Sequence, residues 1–370
     1  MSHPQAIVLV GVIISILTLG VVTVVGSQKE ENSTSNTKQF GGHTPGYGTY
    51  ETTGSVLDPT SLPTDPKNSV VDPMKFLREF NHGRVSHSAN GSTIRDFTII
   101  ASDKSTKEIS PGVNYNVWTF NNTVPGPTLR ATEGDLIRIN FINNGSGFHT
   151  MHFHGIHPAE MDGVFEGIAP GGKFTYEFVA EPFGVFPYHC HIQPLEEHIS
   201  HGLYGALIID PKKPHTNADE MVMIMNGYDT DFDTENNFYT VNGIPYYYMH
   251  HPIKIEKDKL IRIYLVNMLE FDPLNNFHLH ANLFNFYKTG TNLVPDEYTD
   301  IVTLNQGERG ILEFSYKFPG KYMFHAHKTE FAEKGWMGTF LVTEPENAVN
   351  ASSLTNITGV ITNLTNGGIS

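Results

Sequence analysis

An internal repeat is the feature that most constrains what this chain can fold into. Residues 135–155 read DLIRINFINNGSGFHTMHFHG, and residues 259–281 read KLIRIYLVNMLEFDPLNNFHLHA. A second pair of segments, residues 183–209 and 318–342, matches in the same way around HCH and HAH. Self-similarity of this kind indicates that one folding unit has been duplicated. The two copies are therefore expected to have the same order of secondary-structure elements and to bury equivalent apolar residues.

The two copies consist of short apolar runs that are separated by turn signals. The first block, residues 91–212, contains RDFTIIAS, DLIRINFIN, KFTYEFVA and GALIID, and the second, residues 213–345, contains EMVMIMN, LIRIYLVN, ILEFSYKF and GTFLVTE. Gly-, Pro- and Asn-rich segments that favour turns, such as PGPT, NNGSG and APGG, separate these runs. No amphipathic helical period is sustained over three turns. The pattern predicts an all-β protein of two tandem β-sandwiches.

Three further segments flank these blocks. Residues 6–26 carry no charge and are long enough to cross a bilayer, so residues 1–27 are predicted to be an uncleaved membrane anchor or a cleaved signal peptide. Residues 28–90 are predicted to be a flexible linker, and residues 346–370, with three Asn-x-Ser/Thr triplets, a disordered polar tail. Either interpretation of the N-terminus predicts an extracytoplasmic protein body.

Charge and cysteine content exclude several classes of protein. The chain has 39 acidic and 24 basic residues, for a formal net charge of −15, which argues against nucleic acid as a partner. The single cysteine excludes an intrachain disulfide and any cysteine-rich zinc or iron–sulfur site. Histidine is abundant, with 19 residues.

Eight of these histidines form four His-x-His pairs, two in each copy of the repeat. The pairs are His152/His154, His189/His191, His278/His280 and His325/His327. Residues i and i+2 of a strand point to the same face, so each pair presents two imidazoles side by side. Neutral imidazole is the commonest metal ligand near neutral pH, and it suits copper, zinc, iron and nickel. Eight imidazoles could converge at one interface.

The cysteine indicates a second kind of metal site. Cys190 lies inside the second pair and His149 lies three residues before His152, so on regular strands both point away from the pair histidines. His198 follows eight residues after Cys190. One cysteine and two histidines form the trigonal ligand set of blue-copper sites.

The second copy of the repeat lacks all three of these residues. Ala326 replaces the cysteine, Asn275 replaces His149, and a shorter loop removes the counterpart of His198. The chain is therefore expected to hold one electron-entry site and one multi-histidine cluster.

With these motifs the chain resembles the two-domain, laccase-like multicopper oxidases, which are related to the copper nitrite reductases. The resemblance covers residues 92–344 and rests on PGPTLRATEGDLIRINFIN, HFHG, MDGV and HCHI. It implies tandem cupredoxin-like Greek-key β-sandwiches in a homotrimer, with four copper ions per subunit. It implies type 1 copper at His149, Cys190 and His198 with Leu203 at the axial position, type 2 copper at His152 and His278, and a type 3 pair at His154, His189, His191, His280, His325 and His327.

The implied activity is oxidation of a one-electron donor at type 1 copper, coupled to four-electron reduction of O₂ to water at a trinuclear cluster. Asp162, in MDGV, matches the acidic residue that assists at the cluster in the family; the alternative is a turn residue before Gly163. Glu330 is a weaker candidate for a similar role. The expected catalytic residues are therefore two: Cys190, through which electrons enter, and Asp162.

Two other functions stay open. A copper nitrite reductase would share His149, His154, His189, Cys190 and His198, but that family typically has aspartate at the position of His152 and no histidine at that of His191. A non-enzymatic copper carrier would have no use for eight further histidines. The donor is not identified, although Glu196 and Glu197 could attract a cation such as a metal ion or a basic redox protein. No role is assigned to His157, His201, His250 and His251.

Overall fold

The polypeptide is mostly β-structure in residues 59–345, which are the residues described by this computed structural model. The first nine strands there are β1 Arg84–His87, β2 Thr93–Ser110, β3 Val113–Phe120, β4 Leu129–Thr132, β5 Leu136–Asn143, β6 His152–Phe153, β7 Lys173–Val179, β8 Gly184–His189 and β9 Tyr204–Asp210. The next eleven are β10 Asp219–Tyr228, β11 Phe238–Val241, β12 Ile253–Glu256, β13 Ile261–Asn267, β14 Leu274–Leu279, β15 Phe284–Lys288, β16 Glu297–Thr299, β17 Ile301–Asn305, β18 Arg309–Phe314, β19 Gly320–His325 and β20 Met337–Thr343. The helices are short: α1 Pro73–Phe76, α2 Leu195–Ser200, α3 Tyr247–His250 and α4 Thr329–Glu333, with 3₁₀ turns at Pro59–Ser61 and Ala159–Met161. The prediction of an all-β protein is confirmed for this part of the chain.

Each half of this region folds into two sheets that pack face to face. The first-half sheets have the strand orders β1-β2-β5-β7, with β3 paired to β2, and β4-β9-β8-β6. The second-half sheets have the orders β11-β10-β13-β18-β15-β16 and β12-β20-β19-β14-β17. An apolar cluster that includes Ile99, Phe141 and Leu207 fills the first pair of sheets, and one that includes Met223 and Phe277 fills the second. Both halves are therefore β-sandwiches.

The duplication is visible in how the histidine-bearing strands pair. β6 runs antiparallel to β8 with His152 opposite His189, and β14 runs antiparallel to β19 with His278 opposite His325. The second histidine of each pair lies just beyond the end of its strand. The four pairs therefore occupy equivalent positions in the two sandwiches.

An apolar layer joins the two sandwiches. Along β10, Met221 and Met223 point into the second-half cluster, whereas Val222 and Ile224 belong to a third cluster that also contains Ile208 of β9. β10 is thus buried on both faces. This explains why its sequence is a continuous apolar run rather than an alternating one.

The prediction of a flexible linker over residues 28–90 is wrong for its C-terminal part. Leu77 is fully buried in the second-half cluster, and Phe76 belongs to the layer between the halves. Asp72 caps the start of α1, and Arg78 forms a 3.0 Å ion pair with Asp219. A few well-placed apolar residues are enough to pack residues 59–90 on the sandwiches, although they form no periodic pattern. Residues 28–58 lie outside the described part of the chain.

No helix within residues 59–345 is long and apolar enough to span a membrane. The predicted anchor or signal segment, residues 1–27, and the predicted tail, residues 346–370, both lie outside the described region.

A network of partly buried charges crosses the junction between the sandwiches. Arg130 of β4 donates to Asp210 and to Glu220 of β10, with both N–O distances at 2.7 Å. Glu220 also accepts from the Tyr264 hydroxyl at 2.7 Å and from Arg262 at 3.1 Å. Burial acts to raise the pKa of Glu220, but the hydrogen bonds from Arg130 and Tyr264 outweigh it and lower the pKa to about 2.

We expect Glu220→Gln to reduce the free energy of unfolding by about 3 kcal/mol at neutral pH, because it removes the carboxylate that Arg130 and Arg262 share and leaves each guanidinium with one counter-charge, Asp210 or Glu313. A carboxyl with a depressed pKa contributes stability above its unfolded pKa of 4.5, and this contribution is lost as the pH falls towards 2. The difference between wild type and variant should therefore shrink with acid in denaturant unfolding curves. The control Glu79→Gln, in an exposed pair with Lys75, should cost less than about 0.5 kcal/mol. A difference that does not change with pH would contradict this role for Glu220.

Candidate metal centres

The lone cysteine and two histidines converge at a buried point of the first sandwich. Sγ of Cys190 lies 3.1 Å from Nδ1 of His198 and 3.9 Å from Nδ1 of His149. Cys190 follows the end of β8, His198 lies in α2, and His149 precedes β6. Leu203 is fully buried in the same apolar cluster as Cys190 and offers no ligand atom to the site. The structure therefore brings together the three residues that the sequence singled out.

The protonation states of this group suit a transition metal. Burial is the main cause that lowers the pKa of His198 to about 4, and it also lowers the pKa of His149. Burial raises the pKa of the Cys190 thiol, so a bound metal would displace the thiol proton. Two neutral imidazoles and one sulfur in a nearly solvent-free pocket match the donor set that copper takes in blue-copper sites. The residues present therefore fit a copper ion.

Asp103, which sequence reasoning missed, holds the loop that carries His149. Its carboxylate accepts hydrogen bonds from the amide and the hydroxyl of Ser146, both at 2.8 Å, and from the amide of Gly147 at 3.1 Å; it also lies 3.4 Å from Nε2 of His149. Burial acts to raise the pKa of Asp103, but these hydrogen bonds lower it to about 2. A shift in the register of β2 against β3 brings Asp103 to this position. Such a bulge leaves no clear signal in an alternating sequence pattern.

Gly145 lies so close to His149 that a side chain cannot be added there. A Cβ atom on Gly145 would lie 2.6 Å from Nε2 and 2.7 Å from Cδ2 of that imidazole. We expect Gly145→Ala to displace the ring, to weaken metal binding at Cys190 and to cost about 1–3 kcal/mol of stability. Copper titration followed by optical spectroscopy measures the first effect, and thermal unfolding measures the second. Gly147→Ala is the matched control, since its Cβ would meet only Asp103, at 3.9 Å; equal effects of both substitutions would contradict the steric argument.

The histidine pairs of the first half form one group, the first quartet: His152, His154, His189 and His191. Contacting rings have centroids 5.1 to 5.7 Å apart. Burial is the main cause that lowers the pKa of His154 to about 3 and of His189 to about 4, and neighbouring imidazoles add to the effect. Clustered neutral imidazoles of this kind are suited to bind metal.

The second quartet repeats this arrangement in the other sandwich with His278, His280, His325 and His327. Its contacting rings have centroids 4.9 to 6.1 Å apart. Two of its members, His280 and His327, are exposed, and an open cavity of about 560 Å³ beside it is lined by His278 and Asp300, among others. No ring contact joins the two quartets within residues 59–345. Each quartet is therefore a separate group in a single chain.

Backbone carbonyls orient the strand histidines of both quartets. Nδ1 of His152 lies 2.9 Å from the carbonyl oxygen of Asp162, and Nδ1 of His278 lies 3.0 Å from that of Asp300. His189 and His325 make the same contact with the carbonyl of the next residue. Such contacts favour a proton on Nδ1 and leave the Nε2 lone pair free to bind metal. The Nε2 atoms of neighbouring rings approach to 3.3 Å in the first quartet and 2.9 Å in the second.

Asp162 and Asp300 occupy corresponding places at the two quartets. Oδ1 of Asp162 lies 3.1 Å from Nδ1 of His152, and Oδ2 of Asp300 lies 3.7 Å from Nδ1 of His278. Sequence reasoning identified Asp162 but missed Asp300. The reason is spacing: the aspartate follows its histidine by 10 residues in the first case and by 22 in the second, so the repeat shows no common motif.

The structure also locates residues to which the sequence assigned no role. His157 lies 3.6 Å from the carboxylate of Asp162, and His201 is buried against Trp118. The other two histidines lie outside both quartets: His250 contacts the carbonyl of Pro63, and His251 contacts Asp65. Glu330, the weaker acidic candidate, is paired with Lys334 and Lys328 on the surface.

Both the family models and the solved structures that match this chain include multicopper oxidases. One model described as multicopper oxidase matches residues 102–214, and a second with the same description matches residues 214–346. A crystal structure of a multicopper oxidase is 52% identical with a TM-score of 0.74, and the match covers 75% of this chain and 99% of that one.

Copper nitrite reductases are more distant matches. The structure of the enzyme from Nitrosomonas europaea is 27% identical with a TM-score of 0.58, covering 68% of this chain and 94% of that one. The copper-containing nitrite reductase of Neisseria meningitidis is 27% identical over 264 residues, which is 65% of this chain and 68% of the relative. Both families bind copper, as the ligand-like groups of this chain lead one to expect. With both halves of the duplicated region matched by multicopper oxidase models, this chain belongs to the multicopper oxidase family.

Proposed function

We propose that the chain is a laccase-like oxidase that couples one-electron oxidation of a donor to the four-electron reduction of O₂ to water. The observation that carries this proposal is the presence of two matching histidine quartets beside a single Cys–His₂ site. Copper would supply one-electron redox chemistry at His149, Cys190 and His198, and O₂ reduction at the eight quartet histidines. Four copper ions per chain are proposed from the resemblance to two-domain multicopper oxidases, and the number of histidine ligands supports this stoichiometry.

The covalent structure of the chain supports electron transfer between the two kinds of site. Cys190 lies between His189 and His191, so the sulfur ligand of one centre is joined to two imidazoles of the other by a few bonds. These two histidines contact the rest of the first quartet, with His152 and His191 centroids 5.1 Å apart. The chain's own contribution is to hold these groups in a fixed arrangement on one strand end.

We propose that each complete cluster forms between two copies of the chain, within a homotrimer. The second quartet is partly exposed, and within the described residues it makes no ring contact with the first. Imidazoles that lie open at a surface are available to a neighbouring copy. A first quartet of one copy facing the second quartet of the next would bring eight imidazoles together.

Asp162 is proposed to orient His152 and to carry protons to the cluster. Its carbonyl and carboxylate oxygens both lie near Nδ1 of that histidine, and its side chain is 31% exposed. A carboxylate in this position can accept a proton from solvent and release it on the side of the imidazoles. The 3₁₀ turn Ala159–Met161 and the following Gly163, with a φ of 70°, hold the residue in place.

We expect Asp162→Asn to reduce the rate of O₂ reduction about 10- to 100-fold, which is typical for the loss of a group that orients a metal ligand. Asparagine preserves the shape of the side chain but cannot carry the proton. The measurement is O₂ uptake with hydroquinone as donor, together with copper content. Glu160→Gln, an exposed neighbour, should behave as wild type. Unchanged turnover of the fully copper-loaded Asp162 variant would mean that this residue only shapes the turn.

Copper quantitation with optical and EPR spectra distinguishes the remaining functions. The proposed oxidase predicts four copper ions per chain, including a coupled pair, and O₂ consumption. A nitrite reductase predicts two copper ions and formation of nitric oxide from nitrite. A carrier predicts reversible reduction without turnover. Two copper ions without a coupled pair would reject the trinuclear cluster and favour the nitrite reductase.

The cellular location is proposed from the sequence. The uncharged residues 6–26 support a body that lies outside the cytoplasm, either held at the membrane or released after cleavage. N-terminal sequencing of the mature protein from membrane and soluble fractions tests this assignment.

A further inference from the structure

A stack of aromatic rings leads from the Cys190 site to the protein surface. The indole of Trp118 contacts the ring of His198 edge-on, with centroids 4.7 Å apart, and it stacks on His201 at 4.9 Å. His201 stacks in turn on Tyr115 at 5.0 Å and lies 6.2 Å from Phe232. Phe232, the last ring, is 67% exposed. The stack thus connects a buried metal ligand with an open apolar surface.

Phe232 is held at the surface by a constrained loop. Its φ of 61° lies in the left-handed region, which bulky residues usually avoid. The buried carboxylate of Asp229 accepts the amide hydrogens of Phe232 at 2.7 Å and of Thr234 at 2.8 Å, and so maintains this conformation. Non-glycine residues held in this backbone region cluster at ligand-binding and active sites, so the loop is a candidate binding element.

Exposed carboxylates flank this ring on two elements. They are Glu196 and Glu197 in the first turn of α2, and Asp231, Asp233 and Glu235 in the loop that carries Phe232. None of the five has an ion-pair partner among residues 59–345. The ring of Tyr115 stacks on His201, the residue that ends α2, at 5.0 Å and on Phe232 at 6.2 Å, so the loop and α2 border the same ring. We call Phe232 and these five carboxylates the acidic–aromatic surface.

We propose that the acidic–aromatic surface docks a basic electron-carrier protein that reduces the Cys190 site. This proposal rests on the proposed oxidase function. An apolar aromatic centre within a charged rim is the usual composition of a protein interface, and opposite charge accelerates encounter. The carrier would lose one electron, and a copper ion held by His149, Cys190 and His198 would gain it, with Trp118 and His198 as the residues between the two. No proton or atom is transferred.

A metal cation is a less suitable occupant of this surface. The ligand oxygens of Asp229, Asp231 and Asp233 do lie within 4.8 Å of one another. However, both oxygens of Asp229 already accept backbone amide hydrogens, which would compete with a cation. The phenyl ring of Phe232 offers no ligand. Oxidation of a metal ion at this position is the competing possibility that the following experiment distinguishes from docking of a carrier protein.

The test uses the full copper-loaded chain and mitochondrial ferrocytochrome c, a basic one-electron carrier, as the probe. A copper ion bound by Cys190 is expected to give a blue absorption band, which disappears when the ion is reduced. The rate at which ferrocytochrome c bleaches this band is compared with the rate for hydroquinone, at ionic strengths of about 0.01 M and 1 M. The main variant combines Glu196→Gln, Glu197→Gln, Asp231→Asn and Asp233→Asn; a second is Phe232→Ala. The control combines Glu79→Gln with Glu344→Gln, two exposed carboxylates elsewhere. Binding of ferricytochrome c to the copper-free chain, by calorimetry, gives a readout that does not depend on turnover.

The proposal predicts that the fourfold variant reduces the ratio of the cytochrome rate to the hydroquinone rate about 10- to 100-fold at low salt, and much less at high salt. Phe232→Ala should lower this ratio at both salt concentrations, and both variants should weaken binding of ferricytochrome c. Ratios and binding that equal those of wild type and control would overturn the proposal. So would a variant whose only loss is oxidation of Mn(II) or Fe(II), since the carboxylates would then serve a metal cation. Absence of a blue band, or failure of hydroquinone to bleach it, would instead reject the proposed function.

Discussion

Replacing Cys190 with serine is expected to abolish the blue absorption band, to remove one copper ion per chain and to stop O₂ reduction with every one-electron donor. We expect turnover to fall by more than about 100-fold, because losing a direct ligand should cost more than the roughly 10- to 100-fold effect of changing the groups that orient ligands. The reason is that Cys190 is the sole sulfur donor of the buried Cys–His₂ group and the covalent link to His189 and His191. Serine offers a hydroxyl, which binds copper weakly and does not form the sulfur–copper bond.

The second sandwich provides a matched control for this substitution. Ala326 occupies the place of Cys190 between His325 and His327, and it is equally buried. Ala326→Ser introduces a hydroxyl into a similar environment, at a cost of about 1–3 kcal/mol of stability. It should leave the blue band intact. If Cys190→Ser keeps its turnover, or if both serine variants lose the band equally, the assignment of the type 1 site is wrong.

Two inactive variants are expected to restore activity when they assemble together. One carries His154→Ala and His191→Ala in the first quartet, and the other carries His280→Ala and His327→Ala in the second. Each variant alone lacks two of the eight histidine ligands of every cluster. In a mixed closed ring with random order, about a quarter of the contacts join an intact first quartet to an intact second one.

The measurement is O₂ uptake and copper content of the two variants expressed separately and together. Activity near a quarter of wild type is expected after co-expression, with none in a mixture of the separately purified proteins if subunits do not exchange. Sedimentation gives the number of chains in the assembly. No recovery in a co-assembled sample would show that a cluster does not form between copies in the proposed way.

Much of the candidate site could be predicted from the sequence because its ligands lie in short, regular motifs. His-x-His on a strand places two rings on one face, and the structure shows the pairs opposite each other, as at His152 and His189. Cys190, between two histidines of one pair, therefore points to the opposite face, where its Sγ contacts the imidazoles of His149 and His198. In these cases local geometry alone determines where a side chain points.

Other functional residues could not be predicted, since their positions depend on contacts between distant segments. Asp103 reaches His149 through a shift of strand register, and Asp300 reaches His278 across a 22-residue separation. Trp118 lies opposite the same bulge and contacts His198. The amino-acid types of these residues carry no signal, because a lone aspartate or tryptophan in a strand or in the turn between two strands has many ordinary roles.

The chain sequence by itself determined the duplicated β-architecture, the two kinds of histidine group and the single sulfur donor, because strand periodicity and residue chemistry act over a few positions. Only the tertiary structure decided that residues 59–90 pack on the sandwiches, that Asp162 and Asp300 orient equivalent histidines, and that the two quartets stand apart in one chain. Packing and strand register join residues that are far apart in sequence, and no local pattern encodes them. The same long-range packing places Phe232 at the outer end of the aromatic stack, where the electron donor is proposed to dock.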